Sequence, residues 1–212
     1  MPLRKWKPIF DAKAQELYPA TDPSHDILHI RRVVKTALEL ADKEGADINV
    51  VLPAAYFHDF VNVPKNDPRR KEASRLSADA AVEYLKSVDY PAEYLPAIHH
   101  AIAAHSFSAN IPAETLEAKV VQDADRLDGL GAVGIARTFT TGALMGSVSY
   151  YHETDMMAEN RDLDDKRHTV DHFFVKLFRT AETLHTDAAK AEGQRRVAFM
   201  RGYLEQLKQE AA

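Results

Sequence analysis

Four residues carry the chemistry that this sequence offers: His29, the adjacent pair His58-Asp59, and Asp125. Two neutral imidazoles and two carboxylates form a nitrogen and oxygen donor set. Such a set suits one divalent cation of hard-to-borderline character, such as Mn²⁺, Mg²⁺, Fe²⁺, Co²⁺ or Zn²⁺. The four lie far apart along the chain, so only a folded helical bundle brings them together. His25 and Asp26 precede His29 by four and three residues and share its helix face or turn. From there they support the imidazole from behind. Neighbours on a helix point about 100° apart, so His58 and Asp59 reach one cation only where it sits beside a helix end. The break at Pro64 fits such an end. Val121, Asp125 and Asp128 form one face at helical spacing, and a carboxylate in an apolar stripe is costly to bury unless paired or bound to metal.

A cation site of this kind needs a proton carrier and groups that hold an anionic substrate. His100 and His105 are the candidates for proton transfer or phosphate contact. Five residues apart, they diverge by about 140° on an ideal helix. The loop Val63 to Lys71 follows the His-Asp pair and is the densest basic stretch. Within it Lys65 and Arg70 are the preferred phosphate ligands, since Arg offers a bidentate fork and Lys a mobile charge. Arg137, Lys166, His172 and Lys176 are further cationic candidates from the later helices. Gly129 to Gly134 fits G-x-G-x-x-G by spacing, but the dinucleotide reading requires a preceding strand. Close helix packing or a helix-to-helix turn is the expectation there.

The elements that must position these groups read as all-α. Ala, Leu, Glu and Lys dominate, and no alternating strand is visible. Asp22 and Pro23 read as a cap and first turn opening a helix through about Glu44, with Gly45 after it. Pro53 is expected to begin a short helix that carries His58, and 62–71 to form a loop. Helices are expected over about 72–88, 92–105, 113–130, 132–144, 168–184 and 188–209, with a flap over 142–151. The expected organisation is a single domain spanning 1–212. Its metal-binding core covers about 22–130, and the helices of 132–209 pack on that core and complete the substrate pocket.

Composition narrows the function classes. Of 212 residues, 45% are hydrophobic, enough for one sizeable core. A net charge of −5 disfavours a nucleic-acid polymer as partner while allowing a local basic pocket. With 0 cysteines, disulfides and thiolate metal sites are excluded, and a cytoplasmic home is the simplest expectation. The first ten residues lack the apolar run of a signal peptide, and no stretch of ~20 uncharged apolar residues suggests a membrane span.

The segment Ser24 to Val33 resembles the first motif of the HD-domain phosphohydrolases, Ala55 to Asp59 the second, and Asp123 to Asp128 the last. The match is similar above all to the small stand-alone bacterial branch, and there it includes His105-Ser106-Phe107, Asp164-Asp165-Lys166 and Asp171-His172-Phe173. The resemblance implies a helical HD-type bundle, a divalent metal, and hydrolysis of phosphoester or phosphoanhydride bonds. Both further histidines lie in one helix, which favours one metal over two. The expected function is a metal-dependent phosphohydrolase acting on a small nucleotide such as a (deoxy)nucleoside triphosphate. The alternatives are a metal-bound nucleotide sensor without turnover and a di-iron oxygenase of the same fold class.

Overall fold

Helix-forming residues with little β-branched alternation produce nine α-helices among the described residues. They are α1 (Pro2–Leu17), α2 (Ile27–Glu44), α3 (Ile48–Phe57), α4 (Ala73–Ser87), α5 (Leu95–His105), α6 (Leu116–Asp128), α7 (Gly131–Leu144), α8 (Phe178–Glu182) and α9 (Asp187–Ala211). The structure, a computed structural model, describes residues 2–18, 26–61, 63, 67–106 and 109–211, and only the backbone of Pro2, Pro68 and Arg70. Among those residues the β content is one isolated bridge, between Ser149 and His168. The chain is therefore all-α, and it divides into two compact units, 1–125 and 126–212. None of the described helices is long and apolar enough to cross a membrane.

In the first unit α3 packs against α1, α2 and α5. Its sequence is almost wholly apolar, and every residue from Val50 to Phe57 is buried. The helix does not begin at Pro53. It is capped by Asp47, whose carboxylate accepts from the Asn49 amide at 2.8 Å, and Pro53 lies inside it. A proline removes the amide that would bond the carbonyl four residues back. Here that carbonyl, of Asn49, accepts from the Tyr90 hydroxyl at 2.7 Å, so the helix continues. Helix α2 opens at Ile27 behind Asp26, whose carboxylate accepts from the His29 amide at 2.8 Å; Asp22 and Pro23, expected to start this helix, lie outside the described residues. Of the segment expected to be a loop over 62–71, the described part includes a 3-10 turn, Pro68–Glu72, and α6 starts at Leu116 with the Thr115 hydroxyl accepting from Ala118 at 3.2 Å.

Helix α1 was not legible as a helix in the sequence. Its buried stripe is Trp6, Phe10 and Ala14, continued by Tyr18 just beyond its end. These recur every four residues, the spacing of one helix face. The proline at 8 and the basic residues between them hide that period. Phe10 meets Phe57 edge-on at 5.1 Å and Trp6 meets Tyr90 at 4.8 Å, so the stripe forms an aromatic core over α3. Burying each such ring contributes roughly 1.5–3 kcal/mol.

In the second unit α9 packs on α7 and α8. Gly134 of α7 lies so close to Gly129 that an added Cβ would sit 2.2 Å from the Gly129 carbonyl oxygen, which bears out a packing role for that glycine run. The expected 168–184 helix is broken: a π-helical turn, Phe173–Leu177, precedes the short α8. The segment read as a flap is tied down. Val148 and Ser149 donate to the Arg167 carbonyl at 3.0 and 3.1 Å, and Val170 donates to Tyr150 at 2.8 Å. Below this lies a buried ion pair. Fully buried Asp171 accepts from both Arg161 terminal nitrogens at 2.6 Å and from the Asp164 amide at 2.7 Å.

Burial alone would raise the Asp171 pKa, but the Arg161 and Asp164 hydrogen bonds hold it below the ordinary carboxylate value. Its stabilising contribution is therefore complete above about pH 4 and is lost as pH falls through the lowered folded-state value. Asp171→Asn should cost roughly 3 kcal/mol at neutral pH, because it strands the half-buried Arg161 guanidinium against a buried neutral amide. In urea unfolding, the gap between wild type and variant should stay constant above about pH 5 and narrow below about pH 4. A gap that widens in acid would contradict the assignment.

Candidate metal centre

Helices α3 and α5 end alike. Each closes on a histidine, His58 and His105, whose ring Nδ1 meets the carbonyl three residues back: Ala55 at 2.9 Å and Ile102 at 2.7 Å. A carbonyl only accepts, so Nδ1 carries the proton, and in the neutral ring Nε2 presents a lone pair. The neighbouring last-turn carbonyls also have partners, as buried helix ends require. On α3, Tyr56 accepts from the Tyr18 hydroxyl at 3.0 Å and Phe57 from the Phe60 amide at 3.1 Å. On α5, Ala103 accepts from the Ser74 hydroxyl at 2.9 Å and Ala104 from the Gln122 side-chain amide at 2.6 Å.

The Nε2 atoms converge. His29 Nε2 lies 3.3 Å from His58 Nε2, and Asp125 Oδ1 lies 3.5 Å from the first and 3.8 Å from the second. The donor atoms of His29, His58 and Asp125 all fall within 4.8 Å of one another. Asp59 stands beside them, with Oδ2 3.6 Å from His58 Nε2 and Oδ1 3.5 Å from His105 Nε2. The imidazoles of His29 and His58 are buried, while the Asp59 and Asp125 side chains are 28% and 30% exposed. The nitrogens thus form an inner wall and the carboxylates a mouth.

This donor set fits a divalent ion. Bonds of about 2.0–2.2 Å place neighbouring donors about 3.0 Å apart at right angles and about 3.5 Å apart in a tetrahedron. The observed separations need contraction by at most a few tenths of an ångström. His58 Nε2 presents its lone pair to His29 Nε2 across 3.3 Å, an approach that a cation between them, or a proton on the His29 nitrogen, would hold.

The model of the HD domain matches residues 27–130, the span that contains all four candidate ligands. The chain is also 34% identical over 196 residues to YpgQ, an uncharacterized protein of Bacillus subtilis, covering 90% of this chain and 87% of that one. The chain belongs to the HD-domain family. The crystal structure of YpgQ in complex with ADP superposes with a TM-score of 0.73 at 33% identity, covering 96% of each chain. An HD-superfamily hydrolase from Bacillus thuringiensis superposes with a TM-score of 0.75 at 29% identity, covering 98% of this chain and 97% of that one.

Within this HD domain the two helix-end histidines titrate in opposite directions. Burial, the largest influence, lowers the His58 pKa despite the nearby Asp59 and Asp125, leaving the neutral ring that a metal ligand must be. Burial acts the same way on His105, but there the hydrogen bond and charge of Asp59, with Asp125, outweigh it and the pKa rises. One imidazole is held ready to donate a lone pair and its neighbour to hold a proton.

The other expected site residues fall in several places. Asp26 supports His29 through its backbone, as the α2 cap. The His100 ring turns to the Glu114 amide, with Nε2 accepting at 3.2 Å, so His105 is the one whose ring enters the cluster. His25 and Lys65 lie outside the described residues, as does the Arg70 side chain. Arg137 pairs with Asp128, His172 pairs with Asp165 at 2.8 Å, and Lys166 and Lys176 are exposed, all in the second unit. Tyr18, Ser74 and Gln122, the donors that close the two helix ends, do not stand out in the sequence as site residues. Their one visible signal is a polar residue set in an otherwise apolar helical stripe, as with Gln122 after Val120-Val121.

In chelator-treated protein, histidine ¹⁵N spectra should show His58 protonated at Nδ1 alone and still neutral below pH 6.5. His105 should remain an imidazolium above that pH. The opposite order of titration would contradict the assignment of donor and proton carrier.

Proposed function

We propose that this HD-domain protein is a divalent-metal-dependent phosphohydrolase acting on a small nucleotide, with a (deoxy)nucleoside triphosphate favoured. The observation that carries the reading is the convergence of His29 Nε2, His58 Nε2 and Asp125 Oδ1 within 3.3–3.8 Å. His29, His58, Asp59 and Asp125 would hold the ion. Asp59 would join by turning the carboxylate oxygen that lies 3.6 Å from His58 Nε2. When bound, such an ion lowers the pKa of a coordinated water and polarises a phosphoryl oxygen.

The chain's own groups supply the rest. The raised pKa of His105 favours a proton at Nε2, beside Asp59 Oδ1, from where it would pass to a leaving oxygen at the mouth of the cluster. Its Nδ1 bond to Ile102 keeps the ring aimed while the proton moves. Asp59 divides its two oxygens between His58 and His105 and so couples the ligand set to the proton carrier. Lys65 and Arg70, on the segment that follows the His-Asp pair, are the proposed phosphate grips. The nucleotide class is supported by the ADP complex of the Bacillus subtilis relative, and the hydrolase class by the Bacillus thuringiensis neighbour.

A nucleotide panel with Mn²⁺, Mg²⁺ or Co²⁺ should give metal-dependent release of phosphate or pyrophosphate, faster from triphosphates than from monophosphates. Asp125→Ala should lose both bound metal and turnover. His105→Ala should keep its metal and lose turnover by about 10²–10⁴-fold. Tight metal binding with no turnover on any nucleotide would favour a sensor, and wild-type metal content in Asp125→Ala would remove that residue from the ligand set.

A further inference from the structure

The last turn of α3 presents its ligands through a specific arrangement of carbonyl partners. The Ala55 carbonyl accepts from the His58 ring, Tyr56 from the Tyr18 hydroxyl, and Phe57 from the Phe60 amide. Continued as an α-helix, the chain would pair the Phe60 amide with the Tyr56 carbonyl, four residues back. It pairs three residues back instead, which tightens the turn and ends the helix at Phe57. The Tyr56 carbonyl can give up its helical partner because Tyr18, itself buried at the end of α1, donates to it across 38 residues of sequence. His58 and Asp59 are the residues inside that tightened turn.

We propose that Tyr18 is a positioning residue for the metal centre: its hydroxyl holds the Tyr56 carbonyl out of the helical ladder, so that His58 and Asp59 leave α3 with their donor atoms aimed at the site. The proposal rests on the metal reading given above. Without the hydroxyl, the Phe60 amide swings to the Tyr56 carbonyl, α3 lengthens, and the two ligands rotate about the helix axis. The imidazole of His58 then loses its register with His29, now 3.3 Å between nitrogens. The role assigned to Tyr18 runs through its bond to the backbone of α3, and its buried hydroxyl also feels the charge of Asp59.

Helix α3 supplies its own control. Tyr90 donates to the Asn49 carbonyl at 2.7 Å, so its hydroxyl makes the same kind of bond to the same helix, in the first turn instead of the last. Tyr18→Phe and Tyr90→Phe each remove one oxygen and one hydroxyl-to-carbonyl bond. The test is a Mn²⁺ titration of wild type and both variants, followed by the electron paramagnetic resonance of free Mn²⁺, with circular dichroism to verify that each remains helical at the titration temperature. The expected result is a Mn²⁺ affinity about 10-fold weaker in Tyr18→Phe, the low end for loss of a group that orients a ligand. Tyr90→Phe should bind Mn²⁺ within twofold of wild type although it melts at a lower temperature. Equal weakening in both variants would make Tyr18 a general prop of the helix and overturn the proposal. So would wild-type affinity in Tyr18→Phe. Should Tyr18→Phe prove too unstable to titrate, His58 Nε2 chemical shifts in Mn²⁺-free protein at low temperature replace the titration, with an unchanged His58 environment overturning the idea. A wild-type protein that binds no Mn²⁺ overturns the metal reading itself, a failure visible before any variant is compared.

Discussion

Two imidazole nitrogens held face to face at 3.3 Å are the constraint on which the rest of the first unit depends. Both belong to buried rings. His58 Nε2 presents a lone pair, since its Nδ1 bonds the Ala55 carbonyl, so their close approach is one that the fold enforces ring by ring. The enforcement is local and specific. The His58 ring is pinned at Nδ1 by the Ala55 carbonyl, and the His29 backbone is pinned by the Asp26 cap. The carboxylates of Asp125 and Asp59 then close the ring of donors from the more exposed side.

That enforcement draws on the core. Helix α3 is buried along its whole length from Val50, and its aromatic contacts with α1 fix where its end falls. A buried helix end must find partners for orphan groups that water would satisfy elsewhere, and so must a carbonyl that an internal proline leaves without its amide. The solution is side-chain donors from distant positions: Tyr90 at its first turn, Tyr18 at its last, with Ser74 and Gln122 performing the equivalent service for α5. The polar groups of the core are therefore not decoration on a hydrophobic bundle. They set where the two histidine-bearing helices stop.

Much of this was legible in the sequence. The donor set His29, His58-Asp59 and Asp125 stands out by residue type and order, the helical composition is plain, and the HD motifs named the family that the comparisons then established. What was not legible follows from tertiary context. Pro53 reads as a helix start by local rules, and only the Tyr90 hydroxyl, 41 residues from the Asn49 carbonyl that it meets, explains why the proline lies inside a helix. Helix α1 hides because its prolines and lysines obscure a stripe of four residues that only the α3 face makes meaningful. His100 and His105 are equal candidates by spacing. They separate because one ring meets the Glu114 amide and the other the Ile102 carbonyl beside Asp59. The π-helical turn over Phe173–Leu177 has no sequence signal that distinguishes it from an ordinary helix.

The central claim is that one divalent ion belongs between the two imidazoles. Anomalous diffraction from a crystal grown with Mn²⁺ tests it most directly. The account predicts one strong peak at about 2.0–2.2 Å from His29 Nε2, His58 Nε2 and a carboxylate oxygen of Asp125. Ordered density for all three side chains with no peak between them, or a peak held by other residues, would contradict it.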